Sequence, residues 1–235
     1  MKVVNLINYS NHFSHIISFD KHKVIRSKII DIISSKREKS YDYGEGFFYQ
    51  SVPLIKLKGL RNTEKRIEKL KLKDYLNNKV VLDIGTNIGA IPIMQNDHYK
   101  KCIGIDHNSD VISVATEIKN YFNMSNLEFI CDNFITYNFD TKFDVVLSLA
   151  NHSTYDKGIK ETGEYFLKIL EILNTGGVLI LESHSPLYED PLSYLKIVES
   201  LKKNYSIYDE GKYDFGNFYD KDRVKQAGWP MDSIL

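Results

Sequence analysis

The sequence predicts an α/β fold in which helices cover both faces of a mostly parallel sheet. From residue 80 onward, short apolar runs of strand length alternate with segments of helical periodicity, which is typical of consecutive βαβ units. The runs are apolar along their whole length, as expected for parallel strands that are buried on both faces. These two observations predict a single core that begins near residue 80.

Five strands are predicted in this core. Their apolar runs are residues 80–84, 102–106, 127–131, 143–149 and 178–181. Between the second and third runs, apolar residues recur at helical spacing behind Asn108 and Ser109, which are candidate helix caps. A second helix is predicted from about residue 161 to residue 173, because the glycine pair at 176–177 is a helix-ending signal.

The pattern is different before the first strand. Residues 15–35 carry apolar positions at helical spacing, residues 41–49 are aromatic and contain glycine, and a basic helical segment covers about residues 63–76. We therefore expect residues 1–66 to form a helical and aromatic lid on a core made by residues 67–235.

After residue 185 the sequence predicts a helix over about residues 191–203. The aromatic, turn-rich stretch from Tyr205 to Trp229 follows it and predicts a terminal β-hairpin. The chain contains no internal repeat and no low-complexity tract.

Length and composition limit the classes of function. The 235 residues suit one sizeable domain, and Lys plus Arg equals Asp plus Glu at 31 each, so the zero formal charge disfavours a nucleic-acid partner. No segment has the roughly 18 apolar residues of a membrane span. The first residues also lack the features of a signal peptide, so a cytoplasmic location is expected. Cys102 and Cys131 lie in predicted core strands, which suits neither a metal ligand nor a nucleophile.

The strongest functional signal is the segment 81–89, VLDIGTNIG. An acidic residue, Asp83, ends a strand, and Gly85 and Gly89 allow the backbone to turn tightly and to approach a ligand closely. About twenty residues later the second strand ends at Asp106, from which a carboxylate can accept hydrogen bonds from both ribose hydroxyls of a nucleoside. The two spaced signals together predict a nucleoside-containing cofactor.

The third strand ends near Asp132 and Asn133, where a carboxylate and its neighbouring backbone would meet the exocyclic amine of adenine. Two alternatives remain open. Asp83 would cap the following helix if it were only a strand-end carboxylate. A nicotinamide-binding fold would also place a glycine turn here, but its Gly-x-Gly-x-x-Gly fingerprint is missing, because only Gly85 and Gly89 are present.

These motifs resemble those of class I S-adenosylmethionine-dependent methyltransferases, whose first motif is an acidic residue, any residue, a glycine and then a glycine-containing turn. The resemblance covers about residues 60–185 and departs from the family pattern at Asn87, where many members have glycine. It implies a doubly wound, mostly parallel, seven-stranded sheet with an antiparallel last strand near residues 220–228. The implied cofactor is S-adenosylmethionine, which leaves as S-adenosylhomocysteine.

The resemblance also assigns cofactor-binding residues in this sequence. It places Asp83, Gly85 and Asn87 at the methionine part of the cofactor, Asp106 at the ribose, and Asp132 with Asn133 at the adenine. Gly89 and His107 are further cofactor-binding candidates.

Methyl transfer requires that the acceptor atom be held in line with the sulfonium methyl group and, for a hydroxyl or ammonium acceptor, that its proton be removed. His152 follows the fourth strand and His184 follows the fifth, at the edge where open α/β sheets bind ligands. Both are candidate catalytic bases, since imidazole titrates near neutral pH. Either would otherwise be a hydrogen-bonded loop residue, and a metal site of both histidines with Glu182 is a third interpretation, although no metal is expected.

The remaining candidates lie around this edge and in the lid. Acceptor-binding residues are expected to be Tyr41, Tyr43, Asn151, Tyr155 and Glu182. The rings of segment 41–51, Tyr49 among them, would shield the site, while Gln50 and Arg61 would meet the cofactor carboxylate or an acidic group of the substrate. Alternatively, this aromatic segment packs only on the core.

Three functions are consistent with the sequence. The first is an O- or N-methyltransferase for a small polar metabolite, and general resemblance extends this to a phosphorylated or nucleotide-linked precursor of a bacterial surface polysaccharide such as a capsule. The second is an RNA methyltransferase that uses the basic stretch 56–73, which is more typical of a solvated helix face. The third is a non-catalytic cofactor-binding subunit. The Asn-Pro-Pro-Tyr motif, which resembles that of adenine-N6 and protein-glutamine methyltransferases, is absent from residues 147–155. The oligomeric state is not determined by the sequence.

Overall fold

The computed structural model describes residues 22–34, 48–151 and 162–182, with residues 199, 202–203, 205–206, 222 and 225. In chain order the elements are α1 (22–34), β1 (Phe48–Gln50), a 3-10 turn (Pro53–Ile55), β2 (Gly59–Arg61), α2 (Thr63–Lys69), α3 (Leu72–Leu76), β3 (Val80–Ile84), α4 (Ala90–Met94), β4 (Lys101–Asp106), α5 (Ser109–Tyr121), β5 (Leu127–Cys131), β6 (Phe143–Leu149), α6 (Thr162–Ile172) and β7 (Leu173–Glu182).

The main sheet has five strands in the order β5-β4-β3-β6-β7, and every neighbouring pair is parallel. This confirms the predicted α/β class. The full count of seven strands stays a prediction. The antiparallel strand and hairpin expected near residues 220–228 are not supported there, because the two described residues of that stretch, 222 and 225, are helical. Because β4 and β5 extend the sheet on one side of β3 and β6 extends it on the other, the strand order switches between β3 and β6. Open α/β sheets bind ligands in the crevice beyond the carboxyl ends of the strands at such a point.

The predicted strands of the main sheet agree closely with β3 to β6 and differ at β7. The prediction begins the last strand at residue 178, whereas β7 begins at Leu173 and pairs irregularly between Phe143 and Val145 of β6. Gly176, with a φ of 75°, lies in this irregular part. The glycine pair therefore interrupts the start of a strand, and the helix before it ends at Ile172.

Both faces of the sheet are covered by apolar side chains. Along β3, Val81 packs into one cluster, which includes residues of α1, α3 and α5, while Leu82 and Ile84 pack into a second cluster with Tyr165 and Phe166 of α6. The alternation follows from the two-residue period of a strand and explains why the runs are apolar throughout. Cys131 corrects the prediction that both cysteines are in the core. It is exposed because it is the last residue of β5, whereas Cys102 is buried.

The N-terminal region contains the predicted helix and also a small parallel sheet of β1 and β2, which the helical pattern did not predict. Helix α1 buries Ile25 and Ile29, and its Arg26 Nη1 donates a hydrogen bond of 3.0 Å to the carbonyl oxygen of Ile55. Lys28 Nζ forms an ion pair of 2.7 Å with Glu117 of α5. The region from β1 to α2 then leads to the carboxyl edge of the main sheet, where Arg61 and Arg66 reach Glu182.

Candidate functional site

The loop between β3 and α4 turns sharply through three residues with left-handed backbone. The φ angles are 66° at Gly85, 53° at Asn87 and 69° at Gly89. The backbone amides of Gly85 and Thr86 donate hydrogen bonds of 2.8 and 3.1 Å to the carbonyl oxygen of Ile105 in β4. Segment 85–89, called the cofactor loop below, is therefore fastened to the neighbouring strand.

The glycines of this loop are required by neighbouring side chains as well as by backbone conformation. A Cβ atom on Gly85 would lie 2.7 Å from Nδ2 of Asn151, and one on Gly89 would overlap the ring of Phe129. Asn87 occupies a left-handed position where the family often has glycine, and asparagine tolerates this conformation better than other residues. Its Oδ1 also accepts a hydrogen bond of 2.9 Å from the amide of Ile88.

Asp83 lies behind the cofactor loop, 4% exposed. Its Oδ2 accepts a hydrogen bond of 2.7 Å from the Thr86 hydroxyl. Burial raises the pKa of Asp83 to about 7, although the Thr86 hydrogen bond and the charge of Arg66 act in the opposite direction. At neutral pH this carboxyl group is therefore protonated in part of the molecules. It stabilises the loop through its hydrogen bond with Thr86.

Asp106 ends β4 beside the cofactor loop. One carboxylate oxygen accepts a hydrogen bond of 2.9 Å from the amide of Asn87, and the other accepts one of 3.0 Å from the amide of Asn108. An ionised carboxylate has about four acceptor positions, so these two bonds leave room for two hydroxyl donors. This capacity fits the two hydroxyls of a ribose. The predicted neighbour His107 is largely exposed, with Nδ1 3.8 Å from the Asp106 carboxylate.

Asp132 and Asn133 follow β5 and are exposed. The amide of Asp132 donates a hydrogen bond of 3.0 Å to the carbonyl oxygen of Asp106, which places the end of β5 directly beside the end of β4. Asn133 Oδ1 accepts a hydrogen bond of 2.9 Å from the amide of Ile135 and so stabilises the turn. The structure therefore brings the predicted cofactor residues of three strands to one edge, and they fit a cofactor that carries an adenosyl group.

On the other side of the crevice, Glu182 forms a buried ion cluster with two arginines. Its Oε1 lies 3.0 Å from Arg61 Nη2, and its Oε2 accepts a hydrogen bond of 2.8 Å from Arg66 Nε. Burial tends to raise the pKa of Glu182, but the guanidinium groups of Arg66 and Arg61 hold it below its ordinary value. The sequence predicts Glu182 as an acceptor-binding residue and as one ligand of a possible metal site. In the structure, both of its carboxylate oxygens contact arginine.

The sequence interpretation did not single out Arg66. The basic stretch 56–73 contains two arginines among lysines, and the structure buries both arginines, each 1% exposed. Arginine is the cation better suited to a buried ion pair, because its planar group matches a carboxylate with several donors. The presence of arginine within a lysine-rich run was therefore the feature of the sequence that could have indicated a buried ion pair.

Residues of β1 lie against this cluster. Arg61 Nη1 donates a hydrogen bond of 2.9 Å to the Tyr49 hydroxyl, and the guanidinium carbon is 5.2 Å from the centre of the Tyr49 ring. Gln50 is 6% exposed, and its buried Oε1 has no hydrogen-bond partner in the described part of the chain. Tyr49, Gln50 and Arg61 therefore lie together beside Glu182, and their contact with the cofactor or an acidic group stays a prediction.

Asn151 follows β6 and is 7% exposed. Its Nδ2 donates to the carbonyl oxygen of Ile84, while its Oδ1 accepts hydrogen bonds from Ser148 and Tyr165. Five predicted site residues, Tyr41, Tyr43, His152, Tyr155 and His184, lie outside the described residues.

Across the described ranges, no helix is long and apolar enough to cross a bilayer.

Comparison with known proteins identifies the family to which the sequence is similar. A family model described as a methyltransferase domain matches residues 76–226. No curated protein sequence matches the chain.

Three solved structures are similar in fold. The N-methyltransferase NodS from Bradyrhizobium japonicum WM9 superimposes with a TM-score of 0.51 at 16% identity, over 64% of this chain and 88% of that chain. Its complex with S-adenosyl-L-homocysteine gives a TM-score of 0.52 at 15% identity, over 64% of this chain and 80% of that chain. The YcgJ protein from Bacillus subtilis gives 0.52 at 15% identity, over 73% of this chain and 80% of that chain.

Proposed function

The chain belongs to the family of methyltransferase domains, with S-adenosylmethionine as cofactor, and we propose that it methylates an oxygen or nitrogen atom of a small polar metabolite. When bound, the cofactor supplies a methyl group on a positively charged sulfur, which is open to attack by a nucleophile. The protein then has to hold the acceptor in line and, for a protonated acceptor, remove the proton.

In this proposal S-adenosylmethionine binds at the carboxyl ends of β3, β4 and β5. Asp106 holds the ribose, Asp132 and Asn133 meet the adenine, and the cofactor loop holds the methionine end. His107 lies next to the ribose site. The hydrogen-bonding capacity left on Asp106 supports this assignment, because the carboxylate is already oriented by the amides of Asn87 and Asn108.

Arg61 and Arg66 supply positive charge that would attract a negatively charged group of the cofactor or of the acceptor. Two guanidinium groups face the single carboxylate of Glu182, which leaves one positive charge in excess within this cluster. Arg61 would place that excess charge near the carboxylate of the cofactor or an acidic group of the acceptor, and Gln50 would hydrogen-bond the same group. Tyr49, Tyr41 and Tyr43 would shield the site from water.

The preference for a small acceptor over RNA depends on one observation: the basic stretch 56–73 is not a continuous cationic surface. Its two arginines are buried against Glu182, and its exposed lysines are interrupted by acidic side chains. The exposed acidic residues within the stretch are Glu64 and Glu68, and the exposed Asp74 follows it directly. A phosphate backbone would therefore meet mixed charges, which weakens the electrostatic attraction on which RNA binding depends.

For the chemical step, we propose His152 as the general base, with His184 and Tyr155 on the acceptor side. His152 directly follows Asn151, which comes after β6 and lies beside Gly85. Histidine suits this role because a free imidazole ordinarily exchanges its proton near neutral pH.

The function is tested by offering the purified chain S-adenosylmethionine with a panel of sugar phosphates, nucleotide sugars and other small polar acceptors, and by measuring S-adenosylhomocysteine. Turnover that changes little between low and high salt is expected. Turnover with RNA alone, with a steep loss of affinity as salt rises, would replace this proposal with an RNA methyltransferase. Cofactor binding without turnover on the acceptor panel or on RNA would favour a non-catalytic subunit.

A further inference from the structure

One side chain, Asn151, connects the acceptor side of the crevice to the cofactor loop. Its Nδ2 group donates a hydrogen bond to the carbonyl oxygen of Ile84, the last residue of β3. A Cβ atom on Gly85 would lie 2.7 Å from that Nδ2 and 2.9 Å from the Cβ of Asn151. Asn151 therefore lies against the two residues at which β3 becomes the cofactor loop.

The Asn151 amide is held between the carbonyl oxygen of Ile84 and two buried hydroxyl groups. Its Oδ1 accepts hydrogen bonds of 2.8 Å from Ser148 and 3.1 Å from Tyr165, and both hydroxyl residues are 0% exposed. A hydroxyl can donate or accept, but the carbonyl oxygen of Ile84 can only accept, so the NH₂ group has to face Ile84 and the amide oxygen faces the two hydroxyls. The network thus directs the NH₂ group of Asn151 toward Ile84.

The backbone around Asn151 is shaped to bring it back to β3. Ser148 pairs with Ile84 in the sheet, and the chain then turns at Ala150, which has a left-handed φ of 58°. The amide of Ala150 donates a hydrogen bond of 2.8 Å to the carbonyl oxygen of Glu182, which fixes the turn against β7. A non-glycine residue in this conformation costs free energy, and such residues are common at functional sites.

We propose that Asn151 is a positioning residue for the cofactor loop, rather than the acceptor ligand that the sequence predicts. Its amide oxygen is engaged by two hydroxyls, and its NH₂ group orients the peptide that precedes Gly85. Through that peptide it sets where the left-handed turn of the loop begins. The inference rests on the proposed function in one respect, because it treats segment 85–89 as the loop that holds S-adenosylmethionine.

The test uses Asn151→Asp, which keeps an oxygen for Ser148 and Tyr165 but replaces the donor to Ile84 with an acceptor. The matched control is Tyr165→Phe, which removes a buried hydroxyl from the same network and leaves the contact with Ile84. Affinity for S-adenosylhomocysteine is measured by calorimetry, and folding is checked by thermal unfolding. Asn151→Asp should bind about 10-fold or more weakly, since a buried carbonyl has lost its donor. Tyr165→Phe should bind within about 3-fold of the parent.

Unchanged affinity in folded Asn151→Asp would overturn the inference, as would equal losses in both variants, which would indicate a general effect of destabilisation. If the aspartate variant does not fold, Asn151→Ser replaces it, with the same expected loss and the same refuting result. A parent chain that fails to bind S-adenosylhomocysteine would instead refute the cofactor assignment. These outcomes separate the failure of the inference from the failure of the proposed function.

Discussion

Asp83 should make the stability of the cofactor-free protein fall as pH rises from acid to neutral. Its pKa is about 7 in the folded chain, against an ordinary value of 3.8. Between these values the folded state keeps a proton that the unfolded state has released, so the free energy of unfolding decreases with increasing pH. Over the whole window this amounts to about 4 kcal/mol, at 1.36 kcal/mol for each pH unit.

The prediction is tested with Asp83→Asn, which cannot ionise and can still accept a hydrogen bond from Thr86. Urea unfolding of parent and variant is compared between pH 5 and pH 8 without cofactor. In this range the parent should lose about 3 kcal/mol relative to the variant, with the variant the more stable protein at pH 8. Titration of the histidines affects both proteins and largely cancels in the difference.

Two further features sharpen this experiment. The pKa of Glu182 lies below its ordinary value, so its contribution to stability is present above that value and is lost as pH falls through the folded pKa. An assay above pH 5 therefore avoids the opposite slope from Glu182. Thr86→Val removes the hydrogen bond that lowers the pKa of Asp83 and should extend the fall in stability to higher pH. Parallel pH profiles for the parent and Asp83→Asn would refute the argument that burial raises this pKa.

Three further predictions concern the cofactor, the ion cluster and the catalytic base. Asp106→Ala should weaken binding of S-adenosylhomocysteine by about 1.5 to 3 kcal/mol in calorimetry, and unchanged affinity in a folded variant would remove Asp106 from the site. Arg66→Leu should lower the free energy of unfolding by about 1 to 3 kcal/mol, because one buried oxygen of Glu182 loses its hydrogen-bond donor while Arg61 still balances the charge. The exposed Lys65→Ala should change it by less than about 0.5 kcal/mol, and equal effects of the two changes would contradict the importance of the cluster. His152→Ala should reduce kcat by about 100-fold to 10,000-fold with little change in cofactor affinity, and a fully active variant with a flat pH profile would exclude the general-base role.

Features encoded by short stretches of sequence could be predicted well. The strands β3 to β6 could be predicted because each is a short apolar run. The cap at Asn108 could be predicted because the helical pattern begins directly after it. The cofactor loop was found because an acidic strand end and two glycines occur at fixed spacing. Asp106 was expected at the end of the second strand, and it lies there beside the loop, where it accepts from Asn87.

Features that depend on distant parts of the chain could not be derived in this way. Arg61 and Glu182 are separated by 121 residues, and Arg66 and Glu182 by 116, yet they form one buried cluster. Residues that look alike in sequence, such as the basic side chains of stretch 56–73, are separated into buried and exposed groups only by packing. The irregular start of β7 likewise depends on its pairing with β6.

The sequence alone therefore determined the class of fold, the position of the cofactor loop and the strand-end carboxylates, because strand period and glycine conformation are local properties of the chain. The tertiary structure decided what several polar residues do. It turned Glu182 toward two arginines, placed Asn151 against Ile84 and Gly85, and removed Asp83 from water. The physical reason is that hydrogen-bond partners and burial are set by contacts between strand ends that only the assembled sheet brings together.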